Sequence, residues 1–250
     1  MKLFSVLIVL FFCCIAFIYT SQTIAIDSLE KSVLKKNLTL EDIVTLNKLS
    51  SYYLRSDTVK SKQYALKAIQ ESEKSKDVKS SIVSYESYGR YLTEQGNYSE
   101  AEKILLSILD KHKNSEFQKE IAGVSISLGN IYDINANYEK ALSYYLDATA
   151  IFEKIGDKRG LGLAQMGVAN VFSTTESHQE AKKYYRKSYD NLISIEEKYA
   201  SWSINNMAIS MMHLNEDDSA MIYFEKSLAI KLKLGDDYGA SYTYTDIGTL

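Results

Sequence analysis

The sequence has 250 residues, of which 46% are hydrophobic and 24% are charged, and its formal net charge at pH 7 is −3. This balance is typical of a folded protein, and a slightly acidic chain without a basic stripe is not suited to binding nucleic acid. The chain contains no proline. Because proline breaks helix interiors, its absence favours a chain that is nearly all helix.

The first residues predict an export signal. Lys2 is followed by an apolar run over 3–19, then by polar residues and a small residue, Ala25, that would suit a cleavage site. This pattern predicts a secretory signal peptide over 1–25, with an uncleaved N-terminal anchor as the alternative because the run is long. In both cases the positive charge at Lys2 places the rest of the chain in the periplasm or on the extracytoplasmic face of the membrane.

A small-residue position recurs between residues 89 and 248. Its five members are separated by 40, 40, 39 and 40 residues, and an alanine follows each of the first four after twelve residues. Self-similarity at a fixed period is the signature of a repeat array. The recurring residues are Gly89, Gly129, Ala169, Ala208 and Gly248, and the alanines are Ala101, Ala141, Ala181 and Ala220.

Each copy predicts two antiparallel helices joined by a short turn. Apolar and small residues fall three or four apart, which is the spacing of one helix face. The small residues would let the helices cross closely, and large aromatic residues would fill the space beside them. The aromatic packing positions that we expect are Tyr132, Tyr145, Tyr185 and Phe224.

Helix boundaries between copies are marked by glycine and aspartate. The pairs at 156–157 and 235–236 would supply a glycine past one helix end and an aspartate cap for the next helix. Asp77 and Glu116 stand at the matching place in earlier copies. A degenerate first repeat is predicted over 41–76.

The pattern resembles the tetratricopeptide repeat, which it matches at Leu128, Gly129, Tyr132, Ala141, Tyr145 and Ala148. The period near 40, against about 34 in the minimal repeat, resembles the long type found in motor-protein light chains and in extracytoplasmic arrays of bacterial signalling proteins. The resemblance implies an all-α fold, a right-handed superhelical solenoid of antiparallel helix pairs. It implies an N-terminal segment over 26–40 and an array over 41–250, with about five repeats and the first helix of a truncated sixth.

The sequence predicts no catalytic chemistry, no cofactor and no metal. The three histidines, His112, His178 and His213, are far apart in sequence and lack metal-ligand spacing. There is no glycine-rich phosphate loop and no nucleophile elbow. We therefore expect this segment not to be an enzyme, although an effector beyond Leu250 would fit the unfinished last repeat.

The resemblance implies that a ligand binds on the concave surface, which the first helix of each repeat lines in this family. The position directly after the recurring small residue holds Arg90, Asn130 and Asn170. An asparagine amide can donate to and accept from a peptide backbone at once. The alternative is that both asparagines merely bond the preceding helix or water. Further candidates for this groove, with ordinary packing as their alternative role, are Trp202, Asn205 and Asn206.

The expected function is that of an exported scaffold that binds a protein or peptide. The resemblance implies the sensory or interaction region of a bacterial signalling protein, followed by a histidine kinase or DNA-binding regulator. The alternatives are a free-standing periplasmic assembly scaffold and the non-catalytic part of an enzyme. We expect no nucleic-acid partner for this segment, and membrane contact only through the N-terminal segment or a span beyond the C-terminus.

Overall fold

The computed structural model describes residues 26–250, so the predicted signal peptide over 1–25 lies outside the described residues. Over 26–250 the chain folds into helices joined by short turns, without a strand. The predicted all-α fold class is therefore confirmed. None of the helices in this range has the length and apolar character needed to cross a bilayer. The chain divides into two compact units, Met1–Asn97 and Tyr98–Leu250.

Over the described residues 26–97, the first unit contains four helices around a small apolar core. Helix α1 is described over 26–32, and the unit continues with α2 (Leu40–Tyr53), α3 (Thr58–Ser75) and α4 (Val78–Glu94). Helix α2 begins with a capping box, in which Thr39 and Asp42 satisfy each other's backbone N–H groups. Its buried leucines and isoleucine pack against both α1 and α3. Helices α2 and α3 cover the segment predicted as the degenerate repeat.

The second unit contains eight helices, and each packs against the next along the chain. They are α5 (Tyr98–His112), α6 (Gln118–Ile134), α7 (Tyr138–Ile155), α8 (Lys158–Thr174), α9 (His178–Leu192), α10 (Glu197–His213), α11 (Asp217–Lys233) and α12 (Asp237–Thr249). Short turns make consecutive helices antiparallel. Helix α8 also contacts both α6 and α10, so these three helices lie side by side and form a surface that we call the α6–α8–α10 surface.

The turns follow the predicted capping chemistry with one exception. Gly156 ends α7 in the left-handed region at φ 72°, and Asp157 then accepts a hydrogen bond from the backbone N–H of Gly160 at 3.1 Å. The same arrangement occurs at Gly235 and Asp236. Asp77 caps α4 as predicted. Glu116 does not cap α6, because the N-cap position of that helix is the next residue, Phe117. Phe117 forms no side-chain cap bond.

The recurring small residues lie in the interior wherever a neighbouring helix faces them. The four alanines that follow them are fully buried, as are Ala169 and Ala208. A Cβ atom built on Gly129 would lie 2.6 Å from Cε1 of Tyr145, and one built on Gly167 would lie 2.5 Å from the same atom. The Tyr145 ring is therefore held between the backbones of α6 and α8. Gly248 differs, since nothing lies within 4 Å of its built Cβ.

Candidate functional site

The α6–α8–α10 surface contains two tyrosine–asparagine pairs in the same register. The hydroxyl of Tyr145 on α7 donates to Oδ1 of Asn130 on α6 at 2.6 Å. The hydroxyl of Tyr185 on α9 donates to Oδ1 of Asn170 on α8 at 2.8 Å. The tyrosine follows the asparagine by 15 residues in both pairs. Equivalent groups in adjacent repeats therefore adopt equivalent geometry.

These hydrogen bonds fix the orientation of both amides. The rings of Tyr145 and Tyr185 are only 1% and 2% exposed, so the hydroxyls are rigid donors. Each amide oxygen is turned inward, while the Nδ2 groups have no partner within the described residues. Asn130 is exposed and Asn170 is half-buried. Each amide oxygen thus bonds the following helix and not the preceding one, and the N–H donors remain available to a ligand.

Asn206 extends the polar surface to α10. In α10 it occupies the repeat position that Gly167 occupies in α8. It therefore faces Tyr185, just as Gly167 faces Tyr145. Burial raises the pKa of Tyr185, and hydrogen bonds with Asn206 and Ser173 oppose that rise. Asn206 is half-buried and lies beside the Tyr185 hydroxyl. The structure therefore brings together three predicted candidates, Asn130, Asn170 and Asn206, on three adjacent helices.

Asp133 belongs to the same surface, although the sequence analysis did not single it out. It lies three residues after Asn130 on α6 and is half-buried. Burial raises the pKa of its carboxyl, and no basic side chain within 26–250 forms an ion pair with it. Its charge adds to the raised pKa values of both Tyr145 and Tyr185. From the sequence alone, a half-buried acid on a helix cannot be told from an acid that is exposed to solvent.

The remaining predicted candidates are Arg90, Trp202 and Asn205, of which Trp202 lies on α10 one helical turn before Asn206. Arg90 is in the first unit, where its guanidinium is 3.9 Å from the Glu86 carboxylate. Trp202 is half-buried on α10, packed edge-on against Tyr199 with ring centroids 5.0 Å apart. The Lys198 ammonium lies 5.4 Å from the Trp202 ring centroid. The indole is therefore partly covered by its own helix.

Asn205 lies in the interior instead of on the groove, with 5% of its surface exposed. Its Nδ2 donates to Asp246 at 2.7 Å, and its Oδ1 accepts from Thr243 at 2.6 Å and from Lys231 at 3.1 Å. Lys231, itself 3% exposed, occupies the register that Leu192 holds one repeat earlier. Because a buried ammonium needs acceptors, Asn205 is drawn inward.

Two of the three histidines approach each other despite their distance in sequence. The rings of His178 on α9 and His213 on α10 stack with centroids 4.3 Å apart. Burial lowers the pKa of His178, and His213 contributes to the same shift. No group of three or more His, Cys, Asp or Glu residues within 26–250 has metal-site geometry.

The chain matches one family model and shares its fold with solved structures. Residues 120–194 match the model described as tetratricopeptide repeat. BtubC (BKLC) from P. vanneervenii is 11% identical, with a TM-score of 0.66 over 86% of this chain and 90% of that chain. A Rap protein complexed with Competence and Sporulation Factor is 17% identical, with a TM-score of 0.65 over 93% of this chain and 71% of that chain.

A third similar structure is the Rap conjugation gene regulator of the plasmid pLS20 in complex with the Phr* peptide. It is 14% identical, with a TM-score of 0.68 over 81% of this chain and 56% of that chain, so the match spans just over half of that regulator. Identities this low show the fold alone. Among curated proteins, none matches this sequence significantly.

Proposed function

We propose that this protein, which belongs to the tetratricopeptide-repeat family as its sequence pattern predicts, binds an extended peptide or protein segment on the α6–α8–α10 surface. The observation that supports this most directly is the repeated hydrogen bond from Tyr145 to Asn130 and from Tyr185 to Asn170. Each bond occupies an amide oxygen and leaves the N–H donors of that amide unpaired.

The chemistry of these donors suits a peptide backbone. An asparagine Nδ2 carries two N–H donors, and an extended chain presents carbonyl oxygens along its length. Because the tyrosines hold the amides in place, little side-chain entropy is lost when a ligand binds. The ligand would be held through its main chain, largely independently of its side chains.

The apolar partners in the next repeat limit the extent of this arrangement. Phe224 replaces the tyrosine and Ile209 replaces the asparagine, again 15 residues apart. Removal of the hydroxyl thus coincides with removal of the amide, as expected if the two groups work together. The backbone contacts would lie mainly on α6 and α8, with Asn206 as the contribution from α10.

The similar Rap structures support a binding role. One is a complex with the Phr* peptide and another is a complex with Competence and Sporulation Factor. We infer that residues 26–250 serve in binding and not in catalysis. We also propose that the chain is exported, on the evidence of the apolar run at 3–19, and acts as the interaction region of a bacterial signalling protein.

The binding proposal is tested with an array of short synthetic peptides of random sequence, acetylated at the N-terminus. Asn130→Asp and Asn170→Asp keep the oxygen that the tyrosine hydroxyl requires but remove the N–H donors. Asn135→Asp, at the exposed end of α6, makes the same change away from the surface. We expect the first two variants to lose peptide capture and the third to retain it. Equal capture by all three would refute the proposal.

The export proposal has a separate test. Fusion of residues 1–40 to alkaline phosphatase, which is active only after export, should give phosphatase activity in cells. Deletion of 3–19 should abolish that activity. An inactive fusion would remove export from the proposal and leave the binding site unaffected.

A further inference from the structure

We propose that Asp133 makes the α6–α8–α10 surface select ligands that carry a cationic group beside the backbone bound by Asn130 and Asn170. The group would be a lysine or arginine side chain or a free α-ammonium. This inference rests on the proposed function, since it names the chemistry of the ligand at the same site.

The first argument is that Asp133 lies beside the asparagine donors. Residues three apart on a helix share a face, so Asp133 and Asn130 present adjacent groups on α6. The charge of Asp133 acts on the hydroxyls of both Tyr145 and Tyr185, the two donors that orient the asparagines. The carboxylate therefore lies beside the row of N–H donors.

The second step is that nothing within 26–250 neutralises this carboxylate. The Asp133 side chain is half-buried, and its carboxylate has no ion pair or hydrogen bond among the described residues. Lys140, the basic side chain at the start of α7, instead lies over the Tyr132 ring, 4.8 Å from its centroid. Burial without a partner raises the pKa of the Asp133 carboxyl. A half-buried charge without a partner is costly, and a ligand cation would relieve that cost.

The third step is that this charge is confined to one repeat. The residue at the register of Asp133 is Ser173 on α8 and Met212 on α10. A cationic group on the ligand is therefore favoured at one position along its length and not at every repeat. Both cation sources donate hydrogen bonds to a carboxylate, so the test must distinguish them.

The test uses the full chain and two positional-scanning arrays of short peptides. In the first array the N-termini are acetylated, and lysine, arginine or norleucine is fixed at one position at a time within a neutral mixture. In the second array the N-termini are free. We expect lysine or arginine at one position, or the free terminus, to raise capture about ten- to a hundredfold over its neutral counterpart.

Three variants assign that preference to Asp133. Asp133→Asn should abolish it, so that cationic peptides are captured no better than their neutral counterparts. Asp190→Asn, which neutralises an exposed acid on α9, should leave it unchanged. Combining Asp133→Ser with Ser173→Asp should move the preferred position by about three residues, because packed helices lie 8–10 Å apart and an extended chain rises about 3.3 Å per residue.

The outcomes separate this inference from the proposed function. Capture that depends on Asn130 but shows no cation preference, or a preference that survives Asp133→Asn, overturns the role of Asp133 and leaves the binding site standing. If the wild-type chain captures no more peptide than Asn130→Asp, the binding site fails and the role of Asp133 falls with it.

Discussion

Replacement of Gly129 by alanine tests how closely α6 packs on the Tyr145 ring. The added Cβ would lie 2.6, 2.8 and 2.9 Å from three atoms of that ring, so either the ring or the helix must shift. The ring cannot simply move away, because a Cβ built on Gly167 on α8 would lie 2.5 Å from Cε1 of the same ring. Both neighbouring helices therefore resist the change.

The matched control is Gly123→Ala in the same helix, where nothing lies within 4 Å of the built Cβ. Alanine in a helix interior is favoured over glycine by about 0.5–1 kcal/mol, and both variants gain this amount. Overpacking costs about 1–3 kcal/mol and applies only to Gly129→Ala. We expect the free energies of unfolding of the two variants to differ by about 1–3 kcal/mol.

Urea unfolding followed by circular dichroism measures this difference. Gly123→Ala should be more stable than the wild type, and Gly129→Ala should be less stable than Gly123→Ala. The same two variants can be compared in a Tyr145→Leu background, since Leu105 occupies the equivalent repeat position in α5. There the difference between their free energies of unfolding should nearly vanish. If Gly129→Ala is as stable as Gly123→Ala in the wild-type background, the close packing of the ring is refuted.

Three further predictions concern single contacts. Tyr185→Phe leaves Oδ1 of Asn170 without its donor and should cost about 0.5–1.5 kcal/mol in urea unfolding; an unchanged midpoint would contradict the bond. Ala136, at φ 56°, is strained in the left-handed region, so Ala136→Gly should raise the free energy of unfolding by up to about 1 kcal/mol, and a decrease would contradict this. Hydrogen bonds from the backbone and side chain of Thr39 lower the pKa of Asp42 from 3.8 to about 2. The stability that Asp42 contributes is therefore complete above the ordinary pKa and is lost as the pH falls through about 2. Thermal unfolding should show the wild type losing its advantage over Asp42→Asn in that range, and a constant advantage would contradict the bonds.

The sequence was sufficient for features whose chemistry is local. Gly156 and Asp157 carry the requirements of a helix end and a helix start in their own side chains, so the boundary could be predicted without knowing what packs on it. The repeat register likewise located Tyr145 and Tyr185, because a fixed period relates equivalent positions. Glu116 misled the prediction because an acid can stand near a helix start without forming the cap.

Features that depend on how deeply a side chain is buried could not be predicted from the sequence. The register placed Asn205 on the groove, but Lys231 in the core draws its amide inward, and a lysine at that position is unremarkable in sequence. Asp133 gains its significance only from half-burial without a partner. The sequence contained one signal for the tyrosine–asparagine hydrogen bonds, which is that both residues change together, to Phe224 and Ile209, in the next repeat. That signal can be used only if residues 15 apart are known to be in contact.

Tyr145 belongs to two parts of the molecule at once. Its ring fills the space between α6 and α8, while its hydroxyl orients Asn130 on the surface. A ligand that binds Asn130 and Asn170 would therefore stabilise the contact between adjacent repeats. By linkage, any change that loosens that contact would lower the affinity for the ligand. In an array whose stability is a sum of nearest-neighbour terms, occupancy of the surface would make the central repeats unfold as one cooperative unit.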